Sequence, residues 1–138
     1  NVLYAHAGIS QILNEIDINA SGINKTARPW YADSTENYKT ELQELLMHEW
    51  GPLWYRGYYK GNPKASMAQI DSTLAKFDVR HIITGHTIIA DTISVLYDGK
   101  LFDTDVHHAK GKSEAIFIDD GKFFSVLPTG EKKLLHSR

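Results

Sequence analysis

Two short apolar runs, Val2-Leu3-Tyr4-Ala5-His6-Ala7-Gly8 and His81-Ile82-Ile83-Thr84-Gly85-His86-Thr87, each end in a histidine set among small residues. A buried strand that delivers an imidazole at its C-terminal tip, beside a glycine that lets the backbone turn away, is how an open α/β scaffold presents ligands to a cleft. Either run alone reads first as a hydrogen-bonded structural histidine. Two with the same arrangement point to a sheet that brings both tips to one edge, and to a metal.

Between the two runs the pattern is helical. Ser10 is a candidate N-cap for a short helix that turns Leu13 and Ile16 inward. Residues 20–34 show no clear period, contain Gly22, Pro29, Trp30 and Tyr31, and read as a loop with aromatic anchors. Asp33-Ser34-Thr35 offers a cap, after which Tyr38, Leu42, Leu45, Leu46 and Trp50 recur at helical spacing until Gly51-Pro52. A second loop, residues 53–63, is rich in Trp, Tyr and Gly. Ser66 with Gln69 resembles a capping box for a helix whose buried face is Met67, Ile70, Leu74 and Phe77. That helix leads straight into the second histidine run, the αβ half of a βαβ unit.

After Thr87 the runs become short and β-rich. Asp98-Gly99 and Asp120-Gly121 each suit a type I′ hairpin, whose two central residues need positive φ. The expectation is a C-terminal antiparallel meander and, overall, an α/β fold of mixed (α+β) character, with a mixed sheet packed against other layers. Lys132-Lys133 reads as a solvated tail.

Composition narrows the function classes. With 138 residues, 42% of them hydrophobic, and a net charge of −2, the chain suits one domain with an ordinary core. Charges of both signs are interleaved, so no basic stripe exists to neutralise a nucleic-acid backbone. The absence of cysteine removes disulfides, zinc-thiolate sites and thiol nucleophiles. No apolar run approaches the ~20 residues of a membrane span, and no signal peptide is visible, so cytosol and periplasm both remain open. Asn1, rather than Met, stands directly before an apolar strand, which gives the expectation of a chain cut from something longer.

Three segments taken in order, Tyr4-Ala5-His6-Ala7-Gly8-Ile9-Ser10, Gly51-Pro52-Leu53-Trp54-Tyr55-Arg56 and Thr84-Gly85-His86-Thr87, resemble the later motifs of the calcineurin-like metallophosphoesterases. The closest branch is that of the bacterial Shewanella-like protein phosphatases. The resemblance runs over nearly all of residues 1–138 and implies the C-terminal half of a four-layer α/β/β/α sandwich holding two divalent cations, Mn, Fe or Zn. It implies that His6 and His86 ligate the same one of those cations. Arg56 matches an arginine that clamps a phosphate oxygen, a task for which the planar guanidinium presents two donors; its sequence neighbours equally allow a surface arginine stacked on Trp54 or Tyr55.

Hydrolysis of phosphate monoesters needs rate enhancements up to roughly 10²¹-fold, which a two-metal site supplies through an activated water and charge neutralisation. Two dications roughly 4 Å apart also need carboxylates in their cage. The family draws these from Asp-x-His, Gly-Asp-x-x-Asp and Gly-Asn-His-Glu motifs that precede the position of His6, and none is in this sequence. Asp103-Thr104-Asp105 follows the second histidine turn and is out of order for that role. The chain is therefore expected to carry at most one partial metal site, and little activity by itself, in a parent protein that hydrolyses a phosphorylated substrate.

Asp105 is expected to support His86 from behind, as carboxylates do for ligating imidazoles. His107-His108 is a weaker ligand candidate, since neighbours on a strand face opposite ways; His48, His81 and His136 are assigned no chemistry. Trp54, Tyr55, Tyr58 and Tyr59 are the candidate substrate pocket, with Tyr58-Tyr59 beside Arg56 as the wall for an aryl phosphate. Trp30 and Tyr31, in the other aromatic loop, are expected to pack. Two other readings stay open: a noncatalytic module that binds a phosphorylated or acidic partner through Arg56 and the aromatics, and a purely structural domain. A truncated domain is also expected to self-associate through exposed sheet edges.

Overall fold

A computed structural model describes residues 1–137. Parallel pairing of the two histidine runs organises it. Strand β1 (Val2–Tyr4) lies beside β2 (His81–Thr84), with Val2 opposite His81 and Tyr4 opposite Ile83. The crossover between them holds every α-helix of the described residues: α1 (Gln11–Glu15), α2 (Ala20–Ala27), α3 (Glu41–Met47) and α4 (Met67–Phe77). On the other side of β2 runs β4 (Leu101–Asp103), also parallel, and β3 (Ser94–Leu96) closes the sheet antiparallel to β4. The order is β1-β2-β4-β3. A second, antiparallel sheet contains β5 (Ala115–Asp119), β6 (Lys122–Val126) and β7 (Lys132–Ser137).

The alternation of side chains along β2 and β4 builds two cores at once. Ile82 and Leu101, paired in register, face the helical side and pack with Ile70, Tyr55, Tyr58 and Tyr59. Ile83 and Phe102, one residue on, face the second sheet and pack with Phe123, Ile116, Ile118 and Leu135. Phe102 and Phe123 stack with centroids 4.5 Å apart. A third cluster, Ile9, Leu13, Ile23, Ala27 and Leu46, ties α1, α2 and α3 to Leu3 in β1 and to Ala5 just after it. The described residues thus form three layers, helices on sheet on sheet. Phe117 and Leu134 are exposed on the outer face of the second sheet, flanking Phe124 across the strands.

Several local expectations hold. Ser10 and Ser66 cap α1 and α4, accepting from the Leu13 and Gln69 N–H groups. Both Asp-Gly turns form, with φ of 55° and 84° at Asp98 and Gly99 and 43° and 73° at Asp120 and Gly121. Others are corrected. Residues 20–34 are not a bare loop: Asn19 caps α2 by accepting from the Gly22 N–H, and Ile23 and Ala27, one turn apart, are buried. The next helix starts at Thr40, not at Asp33, which instead accepts from the Thr35 N–H and hydroxyl in a local turn. Lys132-Lys133 is part of β7 rather than a tail, and the His136 ring in that strand stands 5.5 Å from His81. The C-terminal half is not one continuous meander, because β4 leaves the hairpin pattern to run parallel to β2.

Gly8 shows how tightly the first histidine turn is held. A β-carbon there would lie 2.7 Å from the ring of Tyr58, which is 1% exposed and whose hydroxyl accepts from the Ile9 N–H at 3.0 Å. Gly8→Ala is therefore expected to cost about 1–3 kcal/mol by overpacking, read as a lowered urea midpoint with an unchanged m-value.

Candidate metal and phosphoryl site

The parallel strand ends place His6 and His86 side by side, His6 Nε2 lying 3.0 Å from His86 Nδ1. The backbone stitches the two turns together: the Gly85 N–H donates to the His6 carbonyl at 2.9 Å, and the Ala5 N–H to the Ile83 carbonyl at 3.1 Å. The loop that carries Arg56 joins both. Its Pro52 carbonyl accepts from the Ala7 N–H at 2.8 Å, and one Arg56 terminal nitrogen donates to the His86 carbonyl at 3.1 Å and the Thr87 hydroxyl at 3.0 Å. The three segments singled out in the sequence therefore meet in one place.

The second turn does not bend where expected. Gly85 has ordinary backbone angles and loose neighbours, with nothing nearer than 3.8 Å to a built β-carbon. The left-handed residue is His86 itself, at φ 67°, in a three-residue turn closed by the Thr87 N–H on the Gly85 carbonyl at 2.8 Å. A γ-turn of this hand is strained for any residue with a β-carbon. Arg56 holds the carbonyl that the strain exposes.

Burial first, then the positive charges of Arg56 and His6, push the His86 imidazole below its ordinary pKa and favour its neutral, ligating form. Two nitrogens at 2.0–2.1 Å from one cation lie about 2.9–3.4 Å apart for cis or tetrahedral arrangements, so the observed separation fits two ligands of one cation. His86 Nε2 is buried without a hydrogen-bond partner. No group of three or more His, Asp or Glu residues able to hold a metal occurs among the described residues.

The other candidates are spread around this centre. Asp105 stands by the Gly85 turn, its β-carbon 3.9 Å from a built Gly85 β-carbon, and bears electrostatically on His86; no hydrogen bond joins it to the imidazole, so the expected support is not made. Trp54, 52% exposed, sets its ring edge to face against His86 at 5.5 Å. Tyr55 is buried but borders the adjoining cavity, its hydroxyl accepting from Gln69. Tyr58 and Tyr59 are not a cleft wall. Both are core residues, with Tyr59 hydrogen-bonded through its hydroxyl to Thr84, because their rings fill the space between α4 and the sheet. His107 pairs with Asp91 at 2.8 Å, and His108 opens a short 3₁₀ turn with its ring on the Ser113 hydroxyl.

Asp103 is a group the sequence reading undervalued. It ends β4 level with Thr84, is 1% exposed, and accepts the Asp105 N–H through Oδ1 while Oδ2 has no partner. Burial pushes its pKa up to about 7, helped by the Asp105 carboxylate and opposed by the Asp105 N–H. A raised carboxyl keeps its proton in the folded chain between about pH 4 and 7, where the unfolded chain has lost it. Stability is thus expected to fall as pH rises through that window, by on the order of 4 kcal/mol at about 1.4 kcal/mol per unit. Asp103→Asn should flatten that slope in chemical denaturation at stepped pH. Arg56→Ala should cost about 2 kcal/mol through two lost charge-assisted bonds, with the largest amide shift changes at residues 84–87.

No family model matches the chain, and no curated protein matches it. Solved structures do. A 1.1 Å structure described as a cold-active protein tyrosine phosphatase superposes with a TM-score of 0.87 at 29% identity over 99% of this chain. The cold-active protein tyrosine phosphatase of a psychrophilic Shewanella species gives 0.87 at 29% over 98%, and a point mutant of such an enzyme gives 0.86 at 29%. The chain spans 40% of the length of each of these proteins, and its fold is that of the corresponding part of a phosphatase.

Proposed function

We propose that this chain is the His-Ala-Gly and Gly-His-Thr portion of a metal-dependent phosphatase of the calcineurin-like type, acting on phosphomonoesters. The observation that carries the reading is the pair of imidazole nitrogens 3.0 Å apart at adjacent parallel strand ends, with an arginine fixed beside them. The likeness to protein tyrosine phosphatases supports a phosphorylated substrate.

In this reading His6 and His86 would each present an imidazole nitrogen to one of two divalent cations, Mn, Fe or Zn. When bound, such cations activate a water and neutralise phosphoryl oxygens. Arg56 uses one terminal nitrogen on the His86 turn and keeps its remaining N–H donors for a phosphoryl oxygen, so phosphate binding and ligand position share one side chain. Trp54 shields the imidazole from water on one side. The carboxylates that balance the charge come from outside this chain. A second reading, a noncatalytic module that binds a phosphorylated partner through Arg56, is favoured by the lack of a third metal ligand among the described residues.

Aryl phosphate hydrolysis with added Mn²⁺ separates the two. The protein carrying this chain should turn over, lose activity to a chelator, regain it with Mn²⁺, and lose about 10²-fold or more on His86→Ala. The 138-residue chain alone should show little turnover while binding Mn²⁺ weakly through His6 and His86. Chelator-resistant hydrolysis in the larger protein overturns the metal assignment, and phosphopeptide binding without hydrolysis selects the noncatalytic module.

A further inference from the structure

A cavity of about 990 Å³ lies beside the histidine pair without including it. It opens on the other side of Trp54 and is walled by Ile12, Trp50, Trp54, Tyr55, Arg56 and Lys60. Trp50 and Trp54 are 46% and 52% exposed, which for two tryptophans facing one concavity leaves a large apolar area that the described residues do not cover. Two of the walls belong to both places. Trp54 meets His86 ring edge to face, and Arg56 holds the His86 carbonyl. Lys60 lines the cavity and, like Arg56, bears electrostatically on His86.

We infer that this cavity is a second subsite, which takes an apolar or aromatic side chain one or two residues from the phosphorylated residue of a peptide substrate. The inference rests on the phosphatase reading and adds to it a peptide as substrate class and a recognition element for its sequence. Reach supports it: a centroid separation of 5.5 Å between Trp54 and His86 is the advance of one to two residues of extended chain, at about 3.3–3.6 Å each. Charge supports it as well, because Arg56 and Lys60, which both bear on His86, line the same cavity as Trp50 and Trp54, with Lys64, Glu36 and Glu49 completing its charged lining. A free small phosphate ester would fill the first site and leave the second empty. The exposed tryptophans are the flat, stiff surfaces that gain most from covering an aromatic or aliphatic side chain.

Fluorescence anisotropy of labelled peptides with the 138-residue chain tests this without turnover. Four peptides are compared, phosphotyrosyl or tyrosyl at the centre and Phe or Ala two positions away. In the wild-type chain Phe should bind about tenfold tighter than Ala, the factor that burying one aromatic side chain supplies. Trp50→Ala should abolish that preference and leave the affinity of the Ala-flanked phosphopeptide unchanged; Ile12→Ala, on the opposite wall, should weaken it. Equal affinities for Phe and Ala peptides in the wild-type chain overturn the subsite even if binding depends on the phosphoryl group. A Phe preference with no dependence on the phosphoryl group keeps an apolar side-chain site but overturns its link to a phosphorylated residue, and with it the inferred substrate class; the phosphatase reading itself stands or falls on the chelator experiment with the larger protein.

Discussion

One guanidinium nitrogen does two jobs in this protein. By donating to the His86 carbonyl and the Thr87 hydroxyl, Arg56 holds a left-handed histidine in a turn that its own steric preferences oppose. Everything around the candidate site follows from keeping that turn in place. The Arg56 loop is anchored to the first histidine turn through Pro52 and Ala7, and the first turn is packed on Tyr58 through a glycine that leaves no room for a β-carbon. The strain is local and its restraint is distributed over three segments far apart in sequence. Such over-determination is what a ligand-presenting turn needs if its imidazole is to keep one orientation.

Much of this was legible in the residues. The two apolar runs with terminal histidines gave the parallel strands, the Asp-Gly dipeptides gave the hairpins, and Ser10 and Ser66 marked helix starts, because each of these signals is local and has few alternatives. What escaped was set by tertiary contact. Residues 20–27 carry a glycine and a run of small polar residues, so their period is weak, and they are helical because Ile23 and Ala27 find Leu13 and Leu46 across a cluster that no local pattern reveals. Tyr58 and Tyr59 have the composition of a pocket wall and the position of a core. An aromatic run beside an arginine does not say which rings turn inward, and only the packing of α4 on Ile82 and Leu101 decides it.

The site shows the same division. Residue type and order were enough to single out His6, Arg56 and His86, and the structure brings all three together. Geometry was needed for the rest: that the bend falls on His86 rather than on Gly85, that Asp105 stops short of the imidazole, and that a buried carboxyl, Asp103, ends the neighbouring strand with one oxygen unpaired. Hydrogen bonds to backbone carbonyls leave no trace in a sequence, so the role of Arg56 as a brace could not have been read there.

The pairing of β1 with β2 has a consequence for how the chain acquires its structure. His6 and His86 are 80 residues apart, and closing a loop of that length costs about 4 kcal/mol of chain entropy before any contact across it is gained. The helices and hairpins can form from neighbours, whereas β1 has no partner until His81–Thr84 is already a strand in register. Contacts between residues so far apart in sequence are slow to form, so the histidine pair is expected to be made late, after the local helices and hairpins.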